Sequence, residues 1–128
     1  MAPATQSVHR QRIIYVQPVH AELAWGRDDG ILELAVAGDL CTWSSAMFRP
    51  VVLDLIASDA PSRVHLDLAD VAFIDARGVA LLLAARALVA ETGGALVIST
   101  SDAVQRVLDL CGVGDDAQLL PVREGAVS

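Results

Sequence analysis

Between Arg63 and Arg86 the chain switches hydrophobic period within a residue or two. Val64, Leu66 and Leu68 alternate with His65 and Asp67, the two-residue period of a strand with one buried face. Val71 to Ile74 continue as a short apolar run, and Asp75 ends it. The next residues are apolar nearly all round as far as Arg86, which predicts a deeply buried helix over 76–91. Asp75 stands at the junction, where a carboxylate can accept the free amides of a first helical turn. Gly93-Gly94 supplies a stop that tolerates positive φ, and ALVIS at 95–99 reads as the next strand. A strand, a buried helix and a second strand in this order form a crossover unit, which demands a parallel or mixed sheet.

The flanking sequence extends the same pattern. Residues 20–25 (HAELAW) read as a first strand, GRDDG at 26–30 as a turn, and 31–37 as a second strand with Leu32, Leu34 and Val36 on one face. Residues 38–42 (GDLCT) read as a loop, with Thr42 or Ser44 capping a helix that runs to about Ser58. Met47, Val51 and Leu55, beside Phe48, Val52 and Ile56, form its apolar stripe. Pro50 predicts a kink or a late start. Ser101 caps a third helix over 102–111, with Val104, Val107, Leu108 and Cys111 at helical spacing. Leu119 to Val122 form a last short element.

The order β-β-α-β-α-β-α gives an α/β fold: a mixed β-sheet of four to five strands, with about three to four helices packed on one face. The alternation at 63–68 leaves the other face partly open. The expected core holds Val64, Leu66, Leu68, Leu82, Leu83, Val97 or Ile98, Val107 and Leu108. The expected division is an N-terminal arm over 1–18 with a short edge strand near Ile13, one domain over 19–122, and a frayed tail over 123–128.

Composition narrows the function. Of the 128 residues 54% are hydrophobic and only 4% aromatic, so the core is aliphatic and alanine-rich. A net charge of −7 disfavours nucleic acid, whose phosphates call for clustered cations. No apolar run approaches the ~20 residues of a membrane span, and the polar N-terminus leads to an expectation of a cytoplasmic protein without direct membrane insertion.

Catalytic constellations are missing. There is no glycine-rich phosphate loop. His9, His20 and His65 lack helical metal-site spacing, and a metal role for His65 with Asp67 is outweighed by a solvated strand face. Asp28-Asp29 and Asp115-Asp116 are adjacent turn carboxylates. Cys111 reads as a buried structural thiol and Cys41 as a loop thiol at a helix entrance, where amides can activate it. Their placements predict no Cys41–Cys111 disulfide. Arg77 sits in the first turn after Asp75, where a cation opposes the helix dipole. It should therefore seek Asp75 or Asp39. No enzyme, cofactor or metal emerges.

Four blocks in order resemble the STAS domain, named for sulphate transporters and anti-sigma factor antagonists. They are ILELAVAGDL at 31–40, VHLDLADVAFIDARGVALLLAAR at 64–86, Gly93-Gly94 with ALVIS, and SDAVQRVLDLCGV at 101–113. The resemblance covers about residues 22–122. It implies a mixed sheet with helices on one side. It also implies that a single-domain member binds a kinase-type anti-sigma factor and so frees the sigma factor, until phosphorylation switches binding off. The target hydroxyl of the family lies in Asp-Ser-Ser/Thr-Gly at the second helix start.

Here that motif reads Asp75-Ala76-Arg77-Gly78, so the phosphoacceptor position is Arg77, which has no hydroxyl. The family's Gly-Glu-Leu-Asp before the first helix reads Gly38-Asp39-Leu40-Cys41. The resemblance therefore implies a non-enzymatic antagonist that is not phosphorylated at the usual site. Its partner-binding residues would be Asp39, Leu40, Cys41, Thr42, Asp75, Ala76, Arg77, Gly78 and Val79. A homodimer using the N-terminal arm stays open. Two alternatives stand beside it: a STAS subunit of a lipid-transport ABC complex, and a thiol-dependent regulator using Cys41.

Overall fold

The computed structural model describes residues 11–15 and 20–112. His9, Asp115-Asp116 and the element expected at Leu119 to Val122 lie outside them. In chain order the elements are β1 (Gln11–Tyr15), β2 (Ala21–Asp28), β3 (Ile31–Leu40), α1 (Thr42–Asp59), β4 (Arg63–Ile74), α2 (Ala76–Glu91), β5 (Ala95–Thr100) and α3 (Asp102–Leu110). The five strands form one sheet in sequence order, β1-β2-β3-β4-β5. β1, β2 and β3 are antiparallel neighbours, while β3, β4 and β5 run parallel. The sheet is mixed, as the crossover pattern requires.

Two boundaries differ from the sequence reading. The turn after β2 is not five residues long; it is the pair Asp29-Gly30, with φ of 56° and 81°. Asp-Gly is the pair that accepts positive φ at both central positions of a two-residue hairpin, and it lets β2 continue to Asp28. The expected loop at 38–42 is also shorter, because β3 keeps its pairing with β4 through Leu40.

β4 has twelve residues against ten in β3, and its register shifts twice, between Ala35 and Ala37 and between Gly38 and Asp39. Each shift adds one residue to β4, so its buried positions step from Leu68 to Val71 to Ile74 by threes rather than by twos. The bulges explain why the alternation stops after Leu68. They also carry the strand out to Asp75.

Leu32, Leu34 and Val36 of β3, Val64, Leu66 and Leu68 of β4, and Ile98 of β5 join residues of all three helices in one buried cluster. On α1, Phe48, Val52 and Ile56 enter it, whereas Val51 and Leu55 are half-buried and Met47 is exposed. The stripe read from sequence was two lines wide, and the core takes only one. Leu82, Val104 and Leu108 are buried, while Leu83 and Val107 pack from the margin. α1 runs through Pro50 from Thr42, so no late start occurs. α2 has the bounds expected from the sequence.

Cys111 corrects the sequence reading: it is exposed. α3 ends at Leu110, itself 82% exposed, and Cys111 is its C-cap, past the last helical residue on the turn that still buries Leu108. A helical stripe buries a side chain only where the neighbouring element extends that far.

Candidate functional site

β3 and β4 end side by side, and α1 and α2 start there. The four ends are tied by hydrogen bonds. The Asp75 amide donates to the Leu40 carbonyl across the strand ends at 3.2 Å. Oδ1 of Asp75 accepts from the Arg77 and Gly78 amides at 3.0 and 3.1 Å, which caps α2 as the sequence suggested. Oδ2 accepts from the Thr42 amide at 3.0 Å and from Thr42 Oγ1 at 3.3 Å, thirty-three residues away. One carboxylate therefore satisfies first-turn donors of two helices.

The start of α1 differs from the expectation. Its N-cap is Cys41, not Thr42 or Ser44. Ser44 sits in the first turn, fully buried, and its Oγ accepts from the Cys41 amide at 2.9 Å while donating to the Asp39 carbonyl at 2.6 Å. Cys41 stands between β3 and α1 at the helix entrance, as the sequence suggested, with only 7% of it exposed.

Packing is tight where the elements meet. A Cβ on Gly78 would fall against the Leu40 carbonyl oxygen and 2.6 Å from Ile74 Cγ1. Gly78 lets α2 start against the strand ends, and only a residue without a side chain fits.

The site residues read from sequence divide by exposure. Thr42, Ala76 and Arg77 are exposed, and Asp39 and Asp75 are partly so. Leu40, Cys41, Gly78 and Val79 are buried. They shape the surface from beneath. The expected pairing of Arg77 with Asp75 gives way to a different one: the Asp75 oxygens serve amides and Thr42. Both helices present first-turn donors, and the carboxylate accepts from these instead of from the guanidinium.

Sequence reasoning missed the exposed apolar residues of this end. Trp43 is 57% exposed and Met47, one turn further along α1, 44%. Phe73, opposite Asp39 in the strand register, is 52% exposed. Periodicity had counted Met47 as core; a large apolar residue off the single buried line was the available signal.

His65 lies near the start of β4, away from the helix starts. It shares a sheet face with Asp67, and its Nε2 lies 3.0 Å from Ser99 Oγ. Among the described residues no group of three His, Cys, Asp or Glu side chains is placed to hold a metal ion. No helix among them is long and apolar enough to cross a membrane.

Known proteins share this architecture. An anti-sigma factor antagonist from Mycobacterium paratuberculosis superposes with a TM-score of 0.68 at 23% identity, over 84% of this chain and 91% of that one. The Bacillus cell fate determinant SpoIIAA in its phosphorylated form gives 0.62 at 17% identity, over 82% and 96%. A sulfate transporter family protein from Wolinella succinogenes gives 0.61 at 21% identity, over 77% and 83%. At these identities the likeness speaks for the fold. No curated protein sequence matches the chain. The family model for the STAS domain matches residues 25–125, and with the mixed sheet, the paired helix starts and the Asp75 junction this establishes that the chain belongs to the STAS domain family.

Proposed function

We infer that the chain is a non-enzymatic regulator of the anti-sigma factor antagonist type, acting in the bacterial cytoplasm by binding a kinase-type anti-sigma factor. One observation supports this best. The Asp75 junction locks the starts of α1 and α2 into one rigid platform, and that platform exposes Trp43, Met47, Phe73 and Arg77. Large apolar side chains left in water at one end of a small domain suit a protein interface. Trp and Arg are also the residue types that most often anchor one. Anti-sigma factor antagonists among the fold's neighbours point the same way.

Arg77 replaces the family's phosphoacceptor, so the surface has one charge state instead of two. That makes the chain a constantly competent binder. The thiol alternative loses support because Cys41 is buried and serves as a helix cap.

The test is titration calorimetry against a kinase-type anti-sigma factor. Trp43→Ala should weaken binding by ~2 kcal/mol or more, as for an interface anchor. Arg77→Glu should weaken it by ~1–2 kcal/mol, with circular dichroism unchanged. Equal affinities for wild type and both variants would remove this end of the molecule from the interface and sink the proposal.

A further inference from the structure

α1 carries a second apolar line beside the buried one. Trp43, Met47, Val51 and Leu55 follow at intervals of four, and none of them is fully buried. The C-terminal half of this line borders a groove of about 570 Å³. Pro50, Val51, Asp54 and Leu55 form its α1 wall, and Trp25 and Arg27 its β2 wall. Trp25, Val51 and Leu55 pack against the core from its margin, so the groove is apolar along most of both walls.

Three observations point to one occupant, the ten residues before β1. The first is position. β1 starts at Gln11, opposite Trp25 in the strand register, so residues 1–10 leave the sheet beside the β2 wall of the groove. The second is length. Ten residues reach ~33 Å when extended. From Leu55 back to Met47 the helix rises only ~12 Å. The third is chemistry. Residues 1–8 (MAPATQSV) hold no charged side chain, and Met1, Ala2, Pro3, Ala4 and Val8 are apolar. Alanine and proline are slim, and proline-bearing segments suit aromatic-walled grooves. The first twenty residues hold two arginines and no carboxylate, in a chain of net charge −7, so the arm is attracted to the rest of the molecule.

We propose that residues 1–10 fold back onto the helix face of the sheet and lie in this groove, with 2–8 against Trp25, Val51 and Leu55. A tethered segment meets its site at an effective concentration near millimolar, so contacts too weak to hold a free peptide suffice. A partner helix or a second copy lacks that advantage, and a second copy adds the repulsion of another strongly acidic chain. The arm covers the Val51 and Leu55 end of the outer line and leaves Trp43 and Met47 to the docking surface. This inference does not depend on the docking role.

The experiment is disulfide trapping in the full chain, with oxidised glutathione as the oxidant and Cys111→Ser removing the exposed native thiol. Ala4→Cys is combined with Asp54→Cys in the groove wall or, as the control, with Asp28→Cys. Asp28 stands at the end of β2 where the arm leaves, but on its other face, one residue beyond Arg27. Both aspartates are exposed, so neither cysteine disturbs the core. The pair at 4 and 54 should close within one chain about tenfold or more faster than the control pair. Val8→Asp puts a charge into the apolar contact and should slow the groove pair about tenfold, to the control rate. Equal rates for the two pairs would overturn the proposal, as would a groove pair unaffected by Val8→Asp. Cross-links that form between chains, at rates rising with protein concentration, would give the groove to the arm of a second copy and overturn it as well.

Discussion

Asp75 concentrates more of the local structure than any other side chain. Its two oxygens accept from Thr42, Arg77 and Gly78, and both helix starts depend on them. Asp75→Ala should cost ~2–4 kcal/mol by urea unfolding, the sum of two lost caps. Asp75→Asn keeps one accepting oxygen, so it should cost about half as much. A loss below ~0.5 kcal/mol for the alanine variant would mean that water replaces the carboxylate at both helices. The two thiols give a second residue-scale prediction. Cys111 is exposed and Cys41 buried, so one thiol of the native protein should react quickly with a disulfide reagent and the other only on unfolding. Two fast thiols would show that the start of α1 opens readily. The exposure of Cys111 reverses the sequence reading. Cys111 fits the apolar stripe of α3 only while the helix has a sheet beneath it. Cys41 stands between the end of β3 and the start of α1, where the sequence put it, and its burial depends on the packing around that junction.

At the scale of elements, α2 carries the strongest prediction. Gly78, Val79, Leu81, Leu82, Ala85 and Val89 are all buried along its length. Leu82, 1% exposed, should cost ~2–5 kcal/mol when truncated to alanine, since a cavity replaces most of the lost volume. Chemical unfolding would check it, and a loss of a few tenths would mean that the helix can settle into the gap. α2 was legible from end to end because its apolar composition, its Asp75 cap and the Gly93-Gly94 stop are all local signals. α1 was legible in its end, expected near Ser58 and found at Asp59, but neither its cap nor its facing was. Two adjacent apolar lines run along it, and only contact with the sheet decides that Phe48, Val52 and Ile56 go in while Met47 stays out. β4 was legible as far as Leu68. Its bulges arise from the mismatch with β3, ten residues against twelve, and no single strand carries that information.

At the scale of the whole molecule, the family motif and the surface meet at Arg77. A kinase that modifies antagonists of this family should leave the wild-type chain unmodified there with ATP, because a guanidinium offers no hydroxyl. Arg77→Ser supplies one at an exposed helix start, where two added negative charges would meet the helix amides and the partner together. Mass spectrometry after incubation with the kinase would show it; a phosphate retained at the start of α2 in the wild type would overturn the reading of the motif. The order of strands and helices, the mixed sheet, the buried faces of β3 and β4 and the cap at Asp75 follow from the sequence by itself. They depend on period, propensity and capping, which act between residues a few positions apart. The reach of Asp75 to Thr42, the exposure of Trp43 and Phe73, the burial of Cys41 and the exposure of Cys111 were decided by tertiary structure alone. Each depends on where one element ends relative to another far away in the chain, and that relation exists only after the sheet has set its register and the helices have packed.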